Sequence, residues 1–146
     1  FGNLFLSLAW GLANTLTLFV NTYFWELEAT QIKYFLPIYL IATLLAFFIT
    51  PRIVRILEKR TIVLIAIAGV GLFSPAAFVM YNLGLTPEKG SLELVFFISF
   101  FLVFLITLNV MGIMVRDSMV GDIADEVELQ SGKRQEGILY ATVGFM

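Results

Sequence analysis

An all-α membrane protein is the fold class this sequence predicts, and three observations carry it. Of the 146 residues 60% are hydrophobic and only 14% charged, with a mean hydropathy of +0.94, whereas soluble domains are about half apolar and about a quarter charged. The apolar residues fall into four runs close to the roughly 20 residues that a bilayer-spanning helix needs, and an apolar run resumes at Ile138. The basic residues are also unevenly shared among the polar connections, as the positive-inside rule requires of a multi-pass chain.

Composition also bounds the chemistry. A net charge of −2 gives no reason to expect a nucleic-acid partner. Without cysteine there is no disulfide framework or thiolate metal site, and without histidine the commonest metal ligand and neutral-pH proton carrier is missing. Any titrating chemistry falls to carboxylates. The first apolar stretch lacks a basic leader and is long enough to span, so no cleavable signal is expected. The sequence starts at Phe1 and stops at Met146 inside an apolar run, and it is read as part of a longer protein.

The first span is predicted at 4–25. Its polar residues Trp10, Asn14, Thr17 and Asn21 step by four, three and four, which places them on one narrow stripe. Amides in hydrocarbon must be hydrogen-bonded, so this stripe is expected to face a cavity or another helix. After a short polar connection, with Trp25 and Tyr34 as an aromatic belt, the second span is predicted at 34–50. Pro37 sits in its first turn and Pro51 marks its end. The connection 51–60 is basic, with Arg52, Arg55, Lys59 and Arg60; the spacing of Arg52, Arg55 and Glu58 suits a short interfacial helix.

Span three, 61–83, is apolar nearly all round and contains Gly69, Gly71 and Pro75, a composition for lipid contact and close packing, with no ligand contacts expected. A turn with Pro87 and Gly90 leads to span four, 92–115, where Phe96, Phe97, Phe100, Phe101 and Phe104 read as bulk filler. Lower in this span Asn109, Gly112 and Arg116 share one helical face. Seven basic residues lie in the connections 51–60 and 116–137, against Lys33 and Lys89 on the other side. Both charged connections are therefore predicted to be cytoplasmic, with the start of a fifth span at 138.

The run 116–137 is the only long polar stretch. Asp122, Asp125 and Glu126 share a face at helical spacing, and Gly132 is a natural helix stop. Its spelling, with Met119, Asp122, Asp125, Glu128, Gly132, Arg134, Glu136 and Gly137, resembles the segment after the tenth transmembrane helix of the glycoside–pentoside–hexuronide:cation symporters, the melibiose-permease-like branch of the major facilitator superfamily. The spans match that family in order and spacing. The resemblance implies a twelve-helix transporter, of which this chain would be four helices plus the start of a fifth from the second six-helix half. It implies a secondary active transporter of the cell membrane, the inner one if bacterial, which couples a sugar or glycoside to Na⁺, H⁺ or Li⁺ by alternating access. The coupling cation would bind the missing N-terminal half, so no metal ligand is assigned here and no enzyme activity is expected.

The resemblance makes the first span the seventh helix of the family, lining the central cavity, so Trp10, Asn14, Thr17, Asn21 and Asn109 are the candidates for the substrate path. It makes 51–60 the basic loop between the eighth and ninth helices. Arg52, Arg55 and the acidic run opened by Asp122 and Asp125 are the candidate cytoplasmic latch. Two other readings stand beside it. Asp122, Asp125 and Glu126 resemble one half of the paired acidic motifs with which membrane prenyltransferases hold Mg²⁺ and a diphosphate, but the spans contain no second acidic cluster. A tetraspan scaffold without transport is the other.

Overall fold

A computed structural model describes residues 2–132, 137, 140 and 141, and the described residues fold as helices and turns. The order is α1 (Gly2–Phe19), a five-residue π-helical turn (Val20–Phe24), the short α2 (Ala29–Ile32), α3 (Phe35–Val54), α4 (Lys59–Asn82) and α5 (Leu92–Ser131). Among the described residues three segments are long and apolar enough to cross a membrane: Ala29–Val54, Lys59–Asn82 and Leu92–Gln130. The first predicted span is helical as far as Phe24, but its α-helix is 18 residues long and ends in the π turn, where Trp25 N–H bonds the Val20 carbonyl. The predicted start of a fifth span at 138, together with Lys133, Arg134 and Glu136, lies outside the described residues.

α5 is the spine, with α3 and α4 packed on either side of it. The face of α3 that meets α5 is built from Ala42, Ala46 and Thr50, buried at four-residue steps, and small side chains at that spacing let helix backbones come close. Thr107 on α5 donates its hydroxyl across this seam to the Ala42 carbonyl at 3.2 Å. On the other side Ala66 and Gly69 of α4 meet Leu108 and Gly112 of α5; a Cβ on Gly112 would stand 3.2 Å from that of Ala66. Below this lies a small core of Ile62, Ala66, Met111 and Val115.

Two boundaries and the placement of one aromatic residue differ from the sequence reading. α3 runs through Pro51 to Val54. Proline removes the N–H that would bond the carbonyl four residues back, and so close to the helix end the loss does not stop the last turn. The polar run is also not a loop as far as Ser131. It continues α5 to 40 residues, closed by Gly132 in the left-handed conformation (φ 65°) with its N–H on the Glu128 carbonyl. The Tyr140 hydroxyl lies 3.6 Å from where a Cβ of Gly121 would be.

The third difference concerns Trp25, expected in an interfacial belt. It is 3% exposed and anchors the larger core with Leu27, Phe35, Leu94, Val95 and Phe101. Its ring stands edge-on to Phe24 (4.7 Å) and Tyr81 (5.7 Å). Tyr34, by contrast, is exposed, with the Lys33 ammonium 5.5 Å from its ring. Of the five phenylalanines of α5, Phe101 joins this core and Phe97 packs against it, while Phe96, Phe100 and Phe104 face outward.

Candidate functional site: a chamber between three helices and two polar ends

A cavity of about 500 Å³ lies between α1, α4 and α5. This is the size of ordinary small-molecule sites, ~300–1,000 Å³. α5 gives it Leu108, Asn109, Gly112, Ile113 and Arg116; α4 gives Val63, Ala66, Ile67 and Val70; α1 gives Ser7, Ala9 and Ala13. The wall is mostly apolar, and its hydrogen-bonding side chains are Ser7, Asn109 and Arg116. The face Asn109–Gly112–Arg116, legible from its three- and four-residue steps, therefore does line one chamber. Gly112 brings α4 close, and the guanidinium of Arg116 donates through Nε and Nη2 to Asp117 Oδ1, both at 3.1 Å.

The stripe on α1 is placed differently. Asn14 and Thr17 are exposed and outside the chamber lining, and the Thr17 hydroxyl donates back to the Ala13 carbonyl at 2.7 Å. Asn21 is half-buried inside the π turn, and its carbonyl accepts from Leu27 N–H. The side chain of Trp10 lies outside the description. α1 lines the chamber instead with the neighbouring face of Ser7, Ala9 and Ala13, and the small four-residue step Ala9–Ala13 was the signal that could have found it. α4, from which no ligand contact was expected, forms one whole wall.

At the basic end, Lys59 on the first turn of α4 donates to Ser118 Oγ at 2.9 Å and forms an ion pair with Asp122 Oδ2 at 2.5 Å. The basic connection and the acidic part of α5 are thus joined, by Lys59. Arg52 donates to the Phe48 carbonyl on its own helix at 2.6 Å, and Arg55 is exposed. Further along α5, Gln130 donates to Glu126, and Asp125 and Glu128 have exposed side chains. Among the described residues no three carboxylates converge into a group able to hold a metal ion. Gly132 is the helix cap, and Gly137 is helical, with open space where a Cβ would be.

The far end is closed by a second polar cluster. The Lys89 ammonium lies 3.3 Å from Glu26 Oε1 and 5.1 and 5.2 Å from the centres of the Phe24 and Tyr81 rings. Gln31 donates to the Gly90 carbonyl at 2.7 Å, and Gly90 N–H donates to the Trp25 carbonyl. Gly90 has φ +70°, and a Cβ there would meet the Glu26 carbonyl oxygen at 3.2 Å, so the position requires glycine. Partial desolvation of Lys89 would lower its pKa, but hydrogen bonds to Glu26 and Tyr81 outweigh it, and the group titrates above its ordinary 10.5.

Apolar helices of membrane length, charge gathered at their two ends and a solute-sized chamber between them define an integral, multi-pass membrane protein. A family model described as MFS/sugar transport protein matches residues 1–146. The chain belongs to that family, the sugar transporters of the major facilitator superfamily, whose members work in the lipid bilayer on small-molecule substrates. No curated protein and no solved structure gives a match.

Proposed function

We propose that the protein takes part in cation-coupled uptake of a sugar or glycoside, driven by Na⁺, H⁺ or Li⁺, with the chamber between α1, α4 and α5 on the substrate path. The observation that carries this reading is Asn109, an amide side chain in the wall of a 500 Å³ chamber within a chain whose whole sequence matches a sugar-transport family. An amide offers two donors and an acceptor, the chemistry of sugar hydroxyl recognition, and in an apolar wall an unmatched amide is unfavourable. Asn14, Thr17 and Asn21 approach the path from the neighbouring face of α1 if that helix turns about the π segment. The connections 51–60 and 116–137 are cytoplasmic in this reading, and the Lys59–Asp122 pair helps to hold the cytoplasmic side closed.

The test is uptake of labelled sugars into proteoliposomes holding the full-length protein. Uptake is expected to rise with an inward gradient of one of the three cations and to collapse with an ionophore that dissipates it. Asn109→Leu should lower uptake at least tenfold with insertion intact, the consequence of a lost hydrogen bond worth ~1.5 kcal/mol. Uptake indifferent to every cation gradient would leave a uniporter, and full activity in Asn109→Leu would move the path elsewhere.

A further inference from the structure

We propose that the shallow pocket at the basic end of α3 binds the headgroup of an anionic phospholipid. The pocket has a volume of about 370 Å³ and is lined by Phe47, Phe48, Pro51, Arg52 and Arg55. Phe47 and Phe48 are both 62% exposed, on the last apolar turns of α3, with their rings perpendicular at 6.4 Å. Arg52 and Arg55 follow on the first polar turn, three residues apart and so on neighbouring positions of one face. The pocket therefore crosses the level at which acyl chains give way to headgroups. Its floor is apolar and its rim carries two guanidinium groups.

The chemistry is specific to a phosphate attached to a lipid. Arg52 is held against α3 by one N–H, given to the Phe48 carbonyl, and a guanidinium has five, so its planar fork is positioned and still able to donate. No carboxylate lines the pocket. Of the other basic groups at this end, Lys59 is engaged with Ser118 and Asp122, and Arg116 with Asp117. A soluble phosphate would use the arginines and ignore the phenylalanines, whereas a phospholipid uses both. The site does not rest on the transport reading: it requires only that α3 spans the bilayer.

The experiment is native mass spectrometry of the full-length protein in detergent, titrated with phosphatidylglycerol or phosphatidylcholine, with an arm containing inorganic phosphate as competitor. Phosphatidylglycerol is expected to bind more tightly than phosphatidylcholine. Arg52→Gln and Arg55→Gln should each weaken it about fivefold and together about 30-fold, because each basic residue at an anionic surface contributes ~1 kcal/mol. Arg60→Gln, outside the pocket, should change it less than twofold, and Phe47→Ser with Phe48→Ser should weaken lipid binding with both arginines present. Circular dichroism checks that each variant keeps its helices. Equal binding of the two lipids, an equal loss in Arg60→Gln, or displacement by millimolar phosphate would each overturn the proposal; the last would make it a soluble-anion site.

Discussion

Placing the same methyl group on two glycines tests how α4 and α5 are held together. Gly71 on α4 is exposed, and a Cβ there meets nothing within 4 Å, so Gly71→Ala gains only helix propensity and should stabilise by about 0.5–1 kcal/mol. Gly112 on α5 would place its Cβ 3.2 Å from the Ala66 Cβ, when ordinary carbon contacts are about 3.5–4.0 Å. Ala66 is buried and its Cβ is fixed to the backbone, so relief requires the helices themselves to separate by a few tenths of an ångström. Crowding of this kind destabilises by about 1–3 kcal/mol, which cancels or exceeds the propensity gain in Gly112→Ala; Gly112→Val should be destabilised outright. Thermal unfolding in detergent, followed by helical circular dichroism, measures both. Adding Ala66→Gly removes the opposing methyl and should recover about 1 kcal/mol of the Gly112→Ala defect, read as a coupling energy. If Gly112→Ala stabilises as much as Gly71→Ala, the helices are not in contact there and the account of the seam is wrong.

Two further predictions concern the polar ends. Lys59→Met and Asp122→Asn, singly and together, should show a coupling of about 0.5–1 kcal/mol, small because the Lys59 and Asp122 side chains are 29% and 62% exposed; additive effects on unfolding would remove the pair from any latch. At the far end, the Lys89 pKa is raised on folding, so its contribution is fully present below 10.5 and is lost as pH rises through the higher folded value. In a Trp10→Phe background the fluorescence of Trp25 should shift as pH rises above 10.5, and this shift should be absent in Lys89→Met, which keeps the same tyrosines.

How much of this was legible in sequence depended on whether a feature is local. Asn109, Gly112 and Arg116 could be grouped because they sit on one regular helix, and the structure keeps them on one chamber wall. The stop at Gly132 was readable for the same reason, since a left-handed cap is set by a single residue. The stripe on α1 was not, because it was extended through Asn21 at α-helical pitch and the chain changes to a π turn at Val20. Trp25 was misplaced because its burial comes from Tyr81 and Leu94, far along the chain, and an aromatic residue at a span's edge looks the same either way. The latch candidates were Arg52, Arg55, Asp122 and Asp125, whereas the ion pair between these two segments is made by Lys59 with Asp122, because α4 starts beside α5, a tertiary fact that charge counting does not contain.

The length of α5 has a mechanical consequence. Forty residues in one unbroken helix make a rod of about 60 Å, twice the ~30 Å hydrocarbon layer it crosses. Rocking such a rod by ~5° about its middle carries each tip ~2.6 Å in opposite directions, as a seesaw does. Asp122, about 16 Å from the middle, moves ~1.4 Å, more than half of its 2.5 Å separation from Lys59, and the Gln31–Gly90 bond just ahead of the other tip is only 2.7 Å long. Neither fastening can therefore slacken unnoticed by the other: a push delivered at the loop before Ser91 is felt, reversed in direction, at Asp122.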